Sequence, residues 1–493
     1  MAAVPQSEII SEAKWSRVLA AVLASAAMLA PCWWHAHVEA GDVASHTYNA
    51  WLANNIDKLH GVSLVWQWTN VVYDVVLAHL CRWFGYSAGE KVAVSAVVLA
   101  LFWGMWALVA ACRDTGQRPG PHNPGPHNSV PHNLRGWSVV PVVAMLTYSW
   151  TFHMGLMNFC LSAGLSCLAL ALWIRRGVRA TAGALPLLLL AWLAHALPVL
   201  VALACGAYAI VSTRLRAKQQ FLLLLGAIGG ILLASEIVLR WFSAGRAPLS
   251  LSTALGVNQF LVYTVSPYRW IGYATVVLLW AAVMVWHRNQ WRELLLSPPL
   301  QLAILFAVAV AALPTALGGL GSGVSFVTER LSLAVPLCAC ILLARARPPR
   351  WIGITLAVPA LAYFAVLWAQ SGVMNHIEEG ITSAARQAPA GSRVVLLMPY
   401  GDNTTTIMHM IDRACVEHCF SYANYEPSTR QFRVRGAAGN GIAAPDPATS
   451  FALQVGQYVV QPQDAPLYEV YVCDRAADRF CVRELRAGDQ LAP

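Results

Sequence analysis

The sequence predicts an α-helical polytopic membrane protein with a small α+β domain at its C-terminal end, and three observations predict it. Only 12% of the 493 residues are charged and 57% are hydrophobic, whereas a soluble domain carries about 25% charged residues. Apolar runs of about 20 residues, the length that crosses a hydrocarbon core of ~30 Å, recur along the chain. After Gln370 that pattern stops and short strand-like stretches take over.

Eleven spans are predicted, at 17–34, 92–112, 137–152, 156–174, 180–196, 198–213, 220–239, 269–286, 299–317, 331–345 and 351–369. The short pairs meeting near His153 and near Pro198 read either as two full spans or as a broken or re-entrant helix. Lys14 and Arg17 precede the first run and place the N-terminus in the cytoplasm. Alternating from there, sixteen of the 33 Lys and Arg fall on the cytoplasmic side, in clusters such as Arg113, Arg118, Arg135 and Arg175, Arg176, Arg179. Seven fall in the opposite short loops, and ten follow residue 370. The asymmetry obeys the positive-inside rule. The first run also has the basic start of a secretory signal, but Trp33 and Trp34 suit an interfacial belt, so it reads as a retained anchor.

The formal charge of +9 is spread over helix ends rather than gathered in a basic, aromatic-interleaved stripe, which argues against nucleic-acid binding. His122, His127 and His132 recur every five residues in a Pro/Gly-rich loop. Such a linker cannot fix ligand geometry, so no role is assigned to them.

Residues 370–493 form the second predicted domain, on the extracytoplasmic side if the spans are odd in number. A helix is expected at 375–388. Strands are expected at Arg393–Met398, Phe432–Val434, Tyr458–Gln461, Tyr468–Cys473 and Phe480–Leu485. Cys415, Cys419, Cys473 and Cys481 make an even set suited to disulfides in an oxidising compartment, with a zinc site as the rival reading. Cys32 and Cys81 both face outward, although nothing requires them to pair.

The first domain, residues 1–369, includes a long outer loop, 35–91. It is too apolar to be a floppy connector, and loops of this length usually carry function. Trp66, Trp68, Val72, Val76 and Leu80 suggest a helix lying along the interface. The loop opens on the densest patch of titratable groups in the chain: His35, His37, Glu39, Asp42 and His46, with Tyr48, Asn49 and Trp51 following. Asp42 is well placed to cap the helix after it. His153, Asn158, His195, Arg269, Glu329 and Arg330 gather on the same side of the membrane. Ionisable residues at membrane depth tend to mark pathways or sites. Their plainer readings are packing histidines and, for Glu329–Arg330, an internal ion pair. Glu236, Arg240 and Arg246 flank another outer loop, where headgroup anchoring explains the arginines equally well.

This layout resembles the GT-C superfamily of integral membrane glycosyltransferases, which includes protein mannosyltransferases and aminoarabinose-lipid A transferases. The resemblance spans the chain as architecture, and in sequence it rests on Glu39–Asp42 and the helix that follows. It implies a catalytic carboxylate at Asp42, with Glu39 as second choice, acting as general base. The substrate-binding candidates, read from the residues rather than from the family pattern, are His46, Tyr48, His153, Asn158, His195, Arg269, Glu329 and Arg330. Arg269 and Arg330 are then the groups that hold a phosphate. The resemblance further implies a polyprenyl-phosphate sugar donor, an extracytoplasmic acceptor, inversion, membrane lipid as partner, and a bacterial inner membrane. The adjacent Asp-Glu pair frequent in the superfamily is absent, since the acids stand three apart. No cofactor is assigned, and Glu39, Asp42 and His46 leave room for a divalent metal. A polytopic transporter and a non-catalytic membrane scaffold remain the alternatives. Against the first, no internal repeat is visible.

Overall fold

The computed structural model describes residues 6–114, 137–245, 250–318, 324–397, 404–429, 431–437, 439–474 and 479–491. The histidine repeat at His122, His127 and His132, together with Arg118, Arg135, Arg246 and Met398, lies outside them.

Six helices are long and apolar enough to cross a membrane: Tyr86–Asp114, Met157–Ala194, Ala217–Trp241, Ser266–Trp286, Val327–Ala346 and Arg350–Ala385. Shorter apolar helices occupy Val18–Trp33, Ala196–Ser212 and Pro298–Ala312. The chain is thus an integral membrane protein. The expected span at 137–152 is broken: a tight turn at Trp137–Val139 feeds an eight-residue helix, Val140–Thr147, and then the four-residue Trp150–His153. At 1.5 Å per residue the eight-residue piece covers only ~12 Å. Arg350–Ala385 departs in the other direction. It runs 36 residues without interruption, so the separate helix expected at 375–388 is the continuation of the last span. At about 54 Å it overreaches the hydrocarbon core.

The outer loop is ordered by the helices Val43–Asn54 and Val72–Phe84. Trp66 and Trp68 are not on the second of these, because Asn70 adopts a left-handed φ of 56° and the helix begins only at Val72. Instead the strand Val62–Leu64 just before them pairs antiparallel with Val434–Gly436 from the far end of the chain. That pairing moves the expected Phe432–Val434 strand two residues on.

A four-stranded sheet orders Phe420–Ser421, Arg393–Leu397, Leu467–Asp474 and Arg479–Leu485. The first three strands are parallel and the last pair is antiparallel. Successive side chains of a strand point to opposite faces. Val394 and Leu396 accordingly join the main apolar core with Ile381 and Ile411, while Val395 and Leu397 pack into a second core with Leu453 and Leu467. The main core therefore runs unbroken from Met28 in the first helix to Val470 in the sheet. Tyr458–Gln461 does not form a strand and contributes one isolated bridge, Val459 to Gln490. The four expected cysteines pair as Cys415–Cys419 and Cys473–Cys481. Cys32 and Cys81 are buried apart from any disulfide, and Cys32 Sγ lies 3.3 Å from the Tyr148 hydroxyl.

Helices Tyr86–Asp114 and Met157–Arg176 cross at glycines. A Cβ on Gly164 would lie 2.4 Å from the Ala100 carbonyl oxygen, and one on Gly104 would lie 2.1 Å from that of Gly164. Small residues at such crossings let backbones approach closely. Gly226, on the helix Ala217–Trp241, has nothing within 4 Å. Gly164→Ala is therefore expected to destabilise by roughly 1–3 kcal/mol and to lower the melting temperature in detergent. Gly226→Ala should leave it unchanged or raise it, as helix propensity alone dictates.

Candidate functional site

The site is built where the outer loop meets the segment 404–429. Gly41 has φ +34° and Gly155 has φ +76°. Cβ atoms there would lie 2.6 Å from the Met154 carbonyl and 2.3 Å from the Asp42 nitrogen, so the two glycines let the Asp42 backbone rest against the turn after His153. Asp42 caps the helix Val43–Asn54 with its backbone, whose carbonyl accepts from His46 N at 2.8 Å, but its side chain makes no capping bond. The carboxylate is held elsewhere: Oδ1 is 3.1 Å from His409 Nε2, and Oδ2 accepts from the Tyr425 hydroxyl at 3.1 Å. Behind it, His409 Nδ1 is 3.0 Å from Asp412 Oδ2, and Ser421 Oγ donates to the other Asp412 oxygen. Asp42 keeps 23% of its side chain exposed, against 5% for His409 and 2% for Asp412.

Beside this row, His46 Nδ1 stands 2.7 Å from Asp74 Oδ1 and 3.5 Å from Glu426 Oε1. Asn158 orients Asp74, donating from Nδ2 at 2.9 Å, while its Oδ1 accepts from Tyr73 N at 2.8 Å. On the other side Arg413, only 8% exposed, lies in a cage of three carboxylates. Its Nη1 is 2.5 Å from Glu378 and 3.9 Å from Glu39, its Nε is 2.9 Å from Glu90, and its Nη2 donates to the Val38 carbonyl at 3.2 Å.

Burial alone would strip His409 of its proton, but the flanking carboxylates of Asp412 and Asp42 outweigh it and push the imidazole up to about 10. Burial would also raise Asp42, and the bond and charge of His409 overcome it, holding that carboxyl below the usual range. His46 follows the same logic: desolvation opposes its charge, Asp74 and Glu426 win, and it rises to about 9. Glu426 is pushed up to about 8, chiefly by burial. Glu39 is driven well above the carboxylate range, first by burial and then by the charge of Glu378.

The expected residues divide. His46 and Asn158 come together through Asp74, and Asp42 sits one helical turn before His46, whose N–H donates to its carbonyl. Glu39 turns into the Arg413 cage, while its carbonyl accepts from the Tyr263 hydroxyl at 2.9 Å and lies 3.2 Å from His153 Nδ1. Tyr48 is buried and its hydroxyl accepts from Ser421 N at 3.1 Å, which makes it a packing anchor between the chain's two ends. His195 Nε2 stands 3.0 Å from Arg330 Nη1, whose guanidinium also covers Phe159 at 5.6 Å. The buried Arg330 Nε has no protein partner among the described residues. Glu329 accepts from Thr315 and Thr328 hydroxyls at 2.7 and 2.9 Å rather than pairing with Arg330. Arg269 is exposed at the start of the helix Ser266–Trp286, and no ion pair among the described residues joins it to Asp42. Glu39, Asp42 and His46 do not converge on one point, and no group of three or more His, Cys, Asp or Glu among the described residues is arranged to hold a metal ion.

Asp74, Glu90, Glu378, His409, Asp412, Arg413, Tyr425 and Glu426 were not singled out from sequence. The His-x-x-Asp-Arg spacing at 409–413 was the available signal, since it puts three ionisable groups on one helical turn outside the apolar runs.

The raised histidines give the fold a pH dependence of definite sign. A histidine whose folded pKa exceeds its unfolded value of about 6.5 adds stability below 6.5 that disappears as pH rises through the folded value. For His46 and His409 that window runs from about 6.5 to about 9 and about 10. Glu426, raised to about 8, acts in the same direction. The melting temperature in detergent is expected to fall steadily between pH 6.5 and 10, and His409→Gln should flatten the fall.

No family model matches the chain, and no curated protein matches it in sequence. Among solved structures, the crystal structure of ArnT from Cupriavidus metallidurans in the apo state is similar over 97% of this chain and 100% of that one. The TM-score is 0.51 and the identity 13%. The likeness shows a shared fold over nearly the whole length of both chains.

Proposed function

We propose that this chain is a membrane glycosyltransferase that moves a sugar from a polyprenyl-phosphate donor to an acceptor on the extracytoplasmic side, with inversion. The observation that carries the reading is Asp42: an ionised carboxylate, fixed on both oxygens, is the member of its hydrogen-bonded row most open to solvent. It stands in a chain whose fold is that of ArnT. The acceptor's lone pair attacks the anomeric carbon on the face opposite the phosphate. The bond from that carbon to the phosphate oxygen breaks, and its electron pair leaves with the polyprenyl phosphate. The acceptor's proton passes to Asp42, which being ionised across neutral pH is in the form a general base requires.

The phosphate falls to Arg330. Guanidinium groups bind phosphate oxygens through charge-assisted, often bidentate bonds, and the Nε of Arg330 has no protein partner among the described residues. Contact with His195 and Phe159 holds the side chain inward. Arg269, exposed and apart, is left as an anchor to the headgroup region.

The distribution of basic residues suits a cytoplasmic N-terminus, and on this reading residues 370–493 lie outside the membrane as a second domain after residues 1–369. The paired cysteines in that region suit an oxidising compartment such as the bacterial periplasm, with the inner membrane as location.

The purified protein, offered a panel of polyprenyl-phosphate-linked pentoses and hexoses with a lipid extract as acceptor, should release free polyprenyl phosphate. Asp42→Asn is expected to lower the rate by about 10²–10⁴-fold and to stay folded, because Asp412 still neutralises His409. An Asp42→Asn variant with wild-type turnover would sink the proposal.

A further inference from the structure

We propose that His409, braced by Asp412, is the positioning residue of Asp42, so that the far end of the chain completes the active site. The inference rests on the glycosyltransferase reading, since it assigns His409 a task only if Asp42 is the base.

Asp42 cannot hold its own carboxylate. The capping bond that would tether it to its own helix is absent, and the backbone nitrogen is engaged with the Met154 carbonyl at 3.4 Å. Orientation comes from 367 residues away in sequence, through His409 Nε2 on one oxygen, and from Tyr425 on the other. His409 is in turn fixed at both ring nitrogens by carboxylates, Asp42 and Asp412, so it donates from both. Ser421 Oγ locks the remaining Asp412 oxygen, and the Tyr425 ring packs edge-on against the imidazole at 5.6 Å. The chain of contacts runs from a sealed end at Asp412 to an open end at Asp42.

A merely structural ion pair would bury its last carboxylate as it buries the others. This one leaves Asp42 the most accessible of the three. The placement of His409 is itself constrained. It caps the short helix Met410–Ala414, and Arg413 on that helix is gripped by Glu39 from the outer loop, Glu90 from the helix Tyr86–Asp114 and Glu378 from the helix Arg350–Ala385. The groups that bear electrostatically on the pair are few. Asp412 and Tyr425 face His409. His46 and Arg330 lie within charge range of Asp42, with Glu426 and Asp74 behind His46.

The test compares wild type, Asp42→Asn, His409→Gln and Asp412→Asn for release of polyprenyl phosphate from whichever polyprenyl-phosphate sugar of the panel the wild type turns over, as a function of pH. His409→Gln is expected to cut kcat by about 10²-fold, the cost of misplacing a reacting group, with KM for the donor little changed. It should also move the acid limb of the profile up into the ordinary carboxylate range. A purely structural role would reduce the amount of folded enzyme and leave that limb where it was. Asp412→Asn, which keeps His409 on Asp42 but removes its brace, should fall between the two and serves if His409→Gln fails to fold. An inactive Asp42→Asn beside a His409→Gln of wild-type kcat and pH profile overturns the inference alone. An active Asp42→Asn overturns the function on which it rests. Nitrogen-15 NMR of labelled histidine, assigned with His409→Gln, needs no donor. At pH 8 the wild-type His409 should carry both ring protons and should give one up at lower pH in Asp42→Asn. A neutral imidazole at pH 8, or one indifferent to Asp42→Asn, refutes the positioning role.

Discussion

A charge taken out of water must find partners or give up its ionisation, and around Arg413 that requirement organises the molecule. One guanidinium meets Glu39, Glu90 and Glu378, three carboxylates from three separate segments. Three negative charges against one positive would be untenable in a buried cage. Glu39 relieves it: burial and the nearby Glu378 push its carboxyl well above the usual range, which favours its protonated form. What is left is a cation shared between Glu90 and Glu378, with Thr47 donating to Glu90 at 2.6 Å. The cage therefore joins the outer loop, a membrane helix, the long last helix and the helix Met410–Ala414 at one point. Everything nearer the solvent, His409 and Asp42 included, takes its position from that point.

Much of the frame was legible in the sequence because hydropathy and charge act locally. A run of apolar residues reads as a membrane helix wherever it stands, and a strand such as Leu467–Asp474 declares itself by composition. The failures share a physical cause. The span expected at 137–152 breaks after Thr147, where the Tyr148 carbonyl accepts from the Tyr363 hydroxyl and the Tyr148 hydroxyl donates to the Met28 carbonyl, tertiary contacts invisible in the apolar run itself. The helix Arg350–Ala385 continues past its apolar stretch because Asn375 and Glu378 find partners in the outer loop and Arg413. Tyr458–Gln461 has strand-like composition, yet beyond one isolated bridge its backbone is spent on other contacts, such as the Gln461 N–H that donates to Asp464. Phe420–Ser421 forms a strand too short for any pattern to register.

The candidate site divides along the same line. Asp42 was singled out because it and Glu39 stand just after an apolar run and just before a helical pattern. Its partners were not, since nothing local ties residue 42 to residue 409, or residue 39 to residue 413. Proximity to a span end favoured Arg269 over Arg413, but that position delivered Arg269 to the surface, while Arg413, far from any apolar run, lies deep between the two halves. Glu39 and Asp42, three residues apart, are pulled to different partners, one into the cage and one toward the opening. Spacing along the chain says which groups share a neighbourhood, and only the long-range pairing says what each faces.

The likeness to ArnT at 13% identity fits this division. Helices that cross at Gly104 and Gly164 and bury apolar faces tolerate wholesale substitution as long as volume and polarity are kept, so a fold of this kind persists when few residues do. The same tolerance does not extend to His409, whose loss leaves the Asp42 and Asp412 carboxylates without the cation they share. A shared fold therefore says how the helices are arranged and leaves open which residues of this chain do chemistry. In this chain the case for chemistry rests on an ionised carboxylate with both oxygens held and one edge left open, beside a brace and a cage whose acids Asp412, Glu90 and Glu378 are closed off to 1–2%.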